Sequence, residues 1–172
     1  MNYFNQYIKS LFIFVCVFIG LPTLALMSQT PSSTEKPSKP KSLINVLEKS
    51  GVFTVFLSAI RQAGLEDKLG KESVFTILAP RDSAFSHVES ITREKLFSSK
   101  VLLKKFIEQH VLIGDLSLVD LSSIESVSTL GGVVLPIEHK EPVEIGRAKV
   151  MRSDIKADNG IIFLLDRAVM VE

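Results

Sequence analysis

Apolar residues have a helical spacing at the start of the part of the chain that is able to fold. They occur at positions 43, 44, 46 and 47 ahead of Gly51, and then at i, i+3, i+4 and i+7 over Phe53, Phe56, Leu57 and Ile60. Gly64 follows, and glycine is common just after the end of a helix. The pattern predicts two short helices whose apolar faces turn towards one core.

A different pattern, at residues 74–85, is typical of a buried strand that leads into a helix. Val74 to Leu78 form a run of β-branched, aromatic and aliphatic residues. Pro80 ends this run, because it lacks a backbone donor and holds Ala79 in an extended conformation. We expect the rest of the domain to be organised around this strand.

The residues after the strand predict a capped turn. Asp82 has the position of an N-cap, where its carboxylate would accept hydrogen bonds from the backbone amides of Ala84 or Phe85. The side chain of Phe85 would then fold back onto the core. Both residues are therefore predicted to be structural.

Two more helices are expected after this turn. Thr92 is the predicted cap of the first, and Ser98 or Ser99 that of the second, which would run to Val111. One face of the second helix carries Leu103, Phe106, Ile107 and His110. His110 therefore points inward, where we expect its ring to bond backbone groups of the following turn. A lone inward histidine is more often a satisfied core residue than a metal ligand or a catalytic base.

The remainder of the chain has the alternation of half-buried strands. The predicted strands cover residues 111–113, 126–130, 133–137, 143–155 and 161–165. Gly131-Gly132 predicts a two-residue hairpin, and Asp158-Asn159-Gly160 a turn into the last strand. The fold class is therefore α+β, a single domain in which N-terminal short helices pack on a small β-sandwich or mixed sheet.

The chain before residue 43 is not expected to join this domain. Residues 1–27 contain one charge, Lys9, and a long apolar run, which is typical of a secretory signal peptide cleaved after Ala25. An uncleaved membrane anchor is the alternative for the same residues. Residues 28–42 are rich in Pro, Ser and Lys and predict a linker. Cys16 is the only cysteine, so the exported part would have no thiol.

Charge and residue content exclude several functions. Twenty basic and nineteen acidic residues leave a net charge of +1, with no block of five or more like charges, which argues against a nucleic-acid partner. The three histidines, His87, His110 and His139, form no His-x-x-x-His motif, and no Gly-x-Ser-x-Gly or phosphate-binding loop is present. We therefore expect no catalytic residue, metal or cofactor. Asp154 and Asp158 are interpreted as turn residues.

The stretch at residues 76–85 resembles the first signature segment of the fasciclin I family, Thr-Val-Phe-Ala-Pro-Thr-Asp-x-Ala-Phe. The two differ at Leu78, where the family has Phe, and at Arg81, where it has Thr. The matching residues are Thr76, Ala79, Pro80, Asp82, Ala84 and Phe85.

A second segment, residues 159–170, resembles the closing segment of that family. Asn159, Gly160 and Asp166 match it, while Phe163 stands where His is usual. His110 keeps the histidine of a Tyr-His pair that the family commonly carries. The resemblance spans residues 43–172, the length of one such domain.

The resemblance implies an exported, non-enzymatic interaction module in cell adhesion or in surface or matrix association. Its partner would be a surface or matrix protein or a polysaccharide, its location secreted, periplasmic or cell-surface, and its state monomeric. A membrane would be involved only through residues 1–27, if they are uncleaved. The chain has no Arg-Gly-Asp, so no integrin site is carried over. A small-ligand-binding extracytoplasmic protein is the alternative function.

Overall fold

The computed structural model describes residues 41–170. The expected signal peptide or anchor (1–27) and residues 28–40 of the expected linker lie outside this range. The helical elements are α1 (Leu43–Ser50), α2 (Thr54–Ala63), a π-helical turn (Lys68–Glu72), a 3-10 turn (Asp82–His87), α3 (Ser90–Ser98), α4 (Lys100–Gln109) and α5 (Leu118–Leu121). The strands are β1 (Phe75–Pro80), β2 (Val111–Ile113), β3 (Ser126–Ser128), β4 (Val134–Glu138), β5 (Glu144–Ile145), β6 (Ala148–Ala157) and β7 (Gly160–Leu165).

The first two helices begin and end where the apolar spacing predicts. The hydroxyl of Ser42 accepts a hydrogen bond from the amide of Asn45 at the start of α1. Gly51 and Gly64 follow α1 and α2 with φ of 68° and 74°, a left-handed conformation that glycine adopts without steric cost. The two predicted helix ends are confirmed.

The strands form one mixed sheet of seven strands in the order β2-β1-β7-β6-β5-β4-β3. β1 and β7 are parallel, and every other neighbouring pair is antiparallel. A bridge between Leu112 in β2 and Thr129, just after β3, brings the two ends of the sheet together. The α+β fold is confirmed, and of the two predicted arrangements the structure has the mixed sheet, strongly bent.

The central strands β1 and β7 are buried on both faces, so two apolar clusters lie on opposite sides of them. The helix-side cluster combines Ile77 and Ile162 with the inner faces of the helices. The sheet-side cluster fills the inside of the bent sheet with Leu78, Phe163 and side chains from β4 to β6. A strand with both faces covered needs a continuous buried run, which explains the sequence of residues 75–79. Val74, which the sequence pattern placed in this run, precedes β1 and is 47% exposed.

The start of this parallel pair requires glycine. Gly160 lies opposite Phe75 with φ of 142°. A Cβ atom on Gly160 would lie 1.8 Å from the carbonyl oxygen of Phe75, a distance that no side chain can tolerate. The backbone of β7 therefore approaches β1 as closely as it does only because residue 160 has no side chain.

Two local predictions are corrected. Thr92 lies inside α3, which begins earlier because the carbonyl of Glu89 already accepts the amide of Arg93. The hairpin has a three-residue loop closed by Thr129 and Val133, since the amide of Leu130 turns away to bond β2. Only Gly132 of the two glycines has positive φ.

The short helix α5 was missed. Ser117 and Asp120 form a capping box at its start, in which each side chain bonds the backbone amide of the other residue. The spacing of a serine three residues before an aspartate is visible in the sequence. A helix of four residues is too short to show an apolar period, so the spacing of apolar residues does not predict α5.

Substitution of Gly160 by Ala is expected to be far more damaging than the same change at Gly51. Gly51 also has positive φ, but a Cβ there would meet nothing within 4 Å, so Gly51→Ala should cost about 1–2 kcal/mol of unfolding free energy. Gly160→Ala adds the clash with Phe75 and should cost well above that. Denaturant midpoints of both variants measure the difference, and equal midpoints would contradict the packing described for the β1–β7 pair.

Candidate functional site

His110 lies at the end of α4 and is completely buried. Its Nδ1 atom is 2.8 Å from the carbonyl oxygen of Phe106, and its Nε2 atom is 2.9 Å from the amide of Val169. Because a carbonyl only accepts and an amide only donates, Nδ1 carries the proton and Nε2 accepts. The ring thus bonds the preceding turn and the C-terminal segment, and the expectation that it bonds the following turn is wrong.

The surroundings of His110 keep it neutral. Burial lowers the pKa of His110 from 6.5 to about 4, against the opposing effect of the hydrogen bond to Phe106. The ring also packs on Phe106 and Phe56, at centroid distances of 4.4 Å and 5.5 Å. Both nitrogens are hydrogen-bonded and the ring is completely buried, so His110 has no group left for a substrate or a metal.

The predicted cap of its own turn by Asp82 is wrong. Asp82 caps the start of helix α2 instead. Its two carboxylate oxygens accept hydrogen bonds from the hydroxyl of Thr54 (2.7 Å) and the amide of Val55 (2.8 Å). The N-cap of α2, Phe53, has no side-chain acceptor to satisfy these groups. A bond from the amide of Asp82 to the carbonyl of Val52 holds the carboxylate in place. Asp82 does accept from an otherwise unpaired amide at a helix start, but the amide belongs to α2 and not to the turn after β1.

The other polar motif residues have the same kind of role. The hydroxyl of Thr76 donates to the carbonyl of Gly114 and accepts from the amide of Leu116. Asn159 accepts from the amide of Leu43 and donates to the carbonyl of Leu69, each at 2.8 Å. The carboxylate of Asp166 accepts from the amide of Lys149. Each side chain joins backbone segments that are distant in sequence. The remaining motif residues, Ala79, Pro80, Ala84 and Phe85, are buried.

No catalytic group emerges from these residues. Asp82 and His110, which an acid–base mechanism would pair, bond to different backbone groups. Within residues 41–170, no three His, Cys, Asp or Glu side chains come together in a group that could hold a metal ion. In the same range, no helix combines the length and the apolar run needed to cross a bilayer.

An apolar concavity on the described surface is a groove between α3 and α4, which we call the α3–α4 groove. It encloses about 230 Å³. Its floor consists of Leu96, Leu102, Phe106 and Met170. Its rim consists of Thr92, Lys95, Lys105 and Gln109. Sequence reasoning missed the groove, although Leu102, Phe106 and Gln109 share one face of α4 by their spacing.

A second concavity, of about 480 Å³, lies between α5 and the turn from β6 to β7. Its carboxylates include Asp115, Asp120 and Asp154. Asp120 accepts the amide of Ser117 and Asp154 that of Leu118. Two of the three carboxylates therefore serve to cap α5, in line with the expected turn role of Asp154.

The cap supplied by Asp82 gives a stability prediction. Asp82→Ala should lower the free energy of unfolding by about 0.5–2 kcal/mol, because the amide of Val55 and the hydroxyl of Thr54 lose their acceptor. Asp82→Asn keeps one carbonyl oxygen and should lose less. Denaturant titration of both variants is the measurement. A wild-type midpoint for Asp82→Ala would show that the cap contributes nothing.

The low pKa of His110 gives a pH prediction. Below pH 6.5 the unfolded chain takes up a proton at His110 that the folded protein does not, so stability falls until the pH reaches about 4. At about 1.4 kcal/mol per pKa unit, the loss from near-neutral pH to about pH 5 should be roughly 2 kcal/mol.

The matched control for this prediction is His110→Gln, which cannot titrate. Other groups contribute to the pH dependence of both proteins, so the difference between the two curves isolates His110. Chemical unfolding at several pH values measures it. Parallel curves would contradict the buried, neutral imidazole.

Two proteins of Synechocystis sp. match this chain over most of both lengths. Uncharacterized protein sll1735 is 28% identical over 130 residues, which cover 76% of this chain and 98% of that protein. Protein sll1483 is 28% identical over 163 residues, which cover 88% and 89%. Transforming growth factor-beta-induced protein ig-h3 of Sus scrofa is 29% identical over 128 residues, which cover 73% of this chain and 18% of that longer protein.

The fold and the family are shown by two further comparisons. A solved FAS1 domain pair from the insect cell adhesion molecule Fasciclin I matches with a TM-score of 0.67 and 20% identity, over 77% of this chain and 51% of that one. The Fasciclin domain family model matches residues 51–171, which include β1, His110 and β7. The protein therefore belongs to the fasciclin domain family.

Proposed function

We propose that this protein is an exported, non-enzymatic interaction module that associates with a cell surface or extracellular matrix through a protein or polysaccharide partner. Membership of the fasciclin domain family supports this proposal. The solved relative comes from a protein described as a cell adhesion molecule. The partner and the monomeric state belong to the proposal, as does export.

The observation that carries the proposal is that the polar atoms of Asp82 and His110 are already hydrogen-bonded within the domain. Asp82 caps α2, and both nitrogens of His110 are bonded inside the core. A general acid or base must reach a proton on a substrate, and its pKa should lie near the working pH. His110 meets neither condition, so its chemistry supports a scaffold that presents a surface.

Export rests on residues 1–27, with residues 28–42 as a spacer between that segment and the domain. A Pro- and Ser-rich spacer would hold the domain away from a membrane or wall if residues 1–27 remain in place. Cleavage after Ala25 would instead release it. In both cases the proposal has the domain outside the cytoplasm.

A small-ligand-binding extracytoplasmic protein is the second candidate, favoured by the size of the cleft beside α5. That cleft, about 480 Å³, falls in the range of about 300 to 1,000 Å³ typical of ligand sites. Its lining is rich in charged residues, whereas ligand sites are mostly apolar. The interaction module is the better supported function for this reason.

The test of the proposed function follows the full-length chain in its native cells. We expect to find the protein outside the cytoplasm and to cross-link it to a surface or matrix component. Added pure protein should compete for that component and reduce the cross-linking. His110→Ala and Asp82→Ala should both lower the denaturant midpoint. The folded fraction of Asp82→Ala should keep wild-type surface affinity, because the carboxylate of Asp82 is bonded to the start of α2.

Two outcomes would contradict the proposal. One is a wild-type chain that stays in the cytoplasm or captures no surface component. The other is unchanged stability with binding or a catalytic activity abolished in His110→Ala or Asp82→Ala, which would make these residues a functional site. Lys49→Gln, an exposed change on α1, serves as the control for nonspecific loss of charge.

A further inference from the structure

The α3–α4 groove has an apolar floor that is open to solvent in part. Leu96 and Phe106 are buried at its base, Leu102 is half-buried, and Met170 is 45% exposed. Floor residues from α3, α4 and the C-terminal segment converge on one place. Leu102 and Met170 therefore leave apolar surface open to solvent inside a concave site, as residues of apolar binding grooves do.

The apolar surface continues beyond the groove. Ile91 is 77% exposed and lies one turn before Lys95 on α3, and Val101 is 66% exposed and lies one turn before Lys105 on α4. Residues four apart share a face of a helix, so both side chains flank the rim. Each rim lysine thus has an exposed apolar residue one turn before it on the same helix.

The charged side chains on the rim of the groove are all positive. Lys95 and Lys105 are the charged residues of the lining, and no carboxylate lines the groove in the part of the chain described. Neither lysine forms an ion pair within residues 41–170, whereas the nearby Lys104 pairs with Glu108. Two exposed, unpaired ammonium groups beside an apolar floor complement a ligand that is both acidic and apolar.

The volume of the groove favours a side chain of a larger partner over an enclosed small molecule. Its volume, about 230 Å³, lies below the range of about 300 to 1,000 Å³ typical of sites that enclose a small molecule. A bulky side chain of a larger partner needs less space and leaves the rest of that partner in solvent. Interfaces commonly use such a central apolar anchor surrounded by polar contacts.

We infer that the α3–α4 groove is the partner-binding site, and that it takes a peptide segment of a surface protein in which a bulky apolar side chain is flanked by carboxylates. The anchor rests on Leu96, Leu102 and Phe106, and the carboxylates pair with Lys95 and Lys105. This inference rests on the proposed function and specifies its partner as an acidic protein segment.

The position of His110 explains how the groove is held in shape. Its Nδ1–H bonds the carbonyl of Phe106, and its Nε2 accepts the amide of Val169. Phe106 forms part of the groove floor, and Val169 is the neighbour of Met170. The buried histidine therefore fixes the two walls relative to each other without itself reaching the partner.

The experiment selects ligands from a random-peptide phage library on the protein recovered from cells that express the full-length chain. We expect enrichment of peptides with a large apolar residue between Asp or Glu residues. Fluorescence polarisation of one enriched peptide then gives its affinity. The affinity should fall as salt is added, because the rim contacts are exposed ion pairs.

Variants locate the binding site. Leu102→Asp should weaken the enriched peptide at least about tenfold, since it places a carboxylate on the apolar floor. Lys95→Gln with Lys105→Gln should weaken it about three- to tenfold and flatten the salt dependence. Lys49→Gln with Lys149→Gln removes the same charge elsewhere and should leave the affinity unchanged. Lys95 and Lys105 are both exposed, so the double variant that changes them to Gln is expected to fold.

Several results would overturn the inference. They are enrichment of no peptide, a consensus without acidic residues, or equal affinity in the rim and control variants. Binding of phosphatidylglycerol vesicles through Lys95 and Lys105, without peptide binding, would also overturn it in favour of a lipid surface.

Surface association of the same variants separates this inference from the proposed function. If the rim variant still associates with native cells as wild type does, the groove is not the site but the proposed function stands. If the wild type itself does not associate, the proposed function fails.

Discussion

The parallel pairing of β1 with β7 is the constraint on which the rest of the domain depends. It joins residues 75–80 to residues 160–165, six pairs in register, and both strands are buried on both faces. Helices cover one face, and the bent sheet covers the other. The pair begins at Gly160, where the backbone of β7 approaches Phe75 too closely for any side chain. Both apolar clusters are built against this pair.

The polar residues of the two signature segments connect this centre to its surroundings. Thr76, Asp82, Asn159 and Asp166 each accept at least one backbone amide, and His110 does so at the end of α4. A backbone group that is buried without a partner is costly, and these side chains supply partners where helix ends and loops meet the core. In the described part of the chain, no buried side-chain nitrogen or oxygen lacks a hydrogen-bond partner.

These internal bonds set the motif residues apart from the α3–α4 groove, which we propose as the partner-binding site. The side chains of the polar motif residues form hydrogen bonds inside the domain, so they specify the fold. Under the proposed function, exposed residues contact the partner. The groove between α3 and α4 depends on the motif only indirectly, through the bonds of His110 to Phe106 and Val169. Proteins with the same scaffold are thus free to differ in rim charge and floor shape, and so in partner.

What the sequence by itself determined is whatever depends on near neighbours in the chain. The apolar period of α1 and α2, the glycines that end them, the buried run of β1 and the inward face of α4 were all predictable, because they follow from local geometry. Which group each polar side chain meets was decided only by the tertiary structure. Asp82 bonds Thr54 and Val55, 28 and 27 residues away, rather than the adjacent turn. The groove likewise exists only where α3, α4 and the C-terminal segment meet, since distances between such segments are set by how the whole core packs.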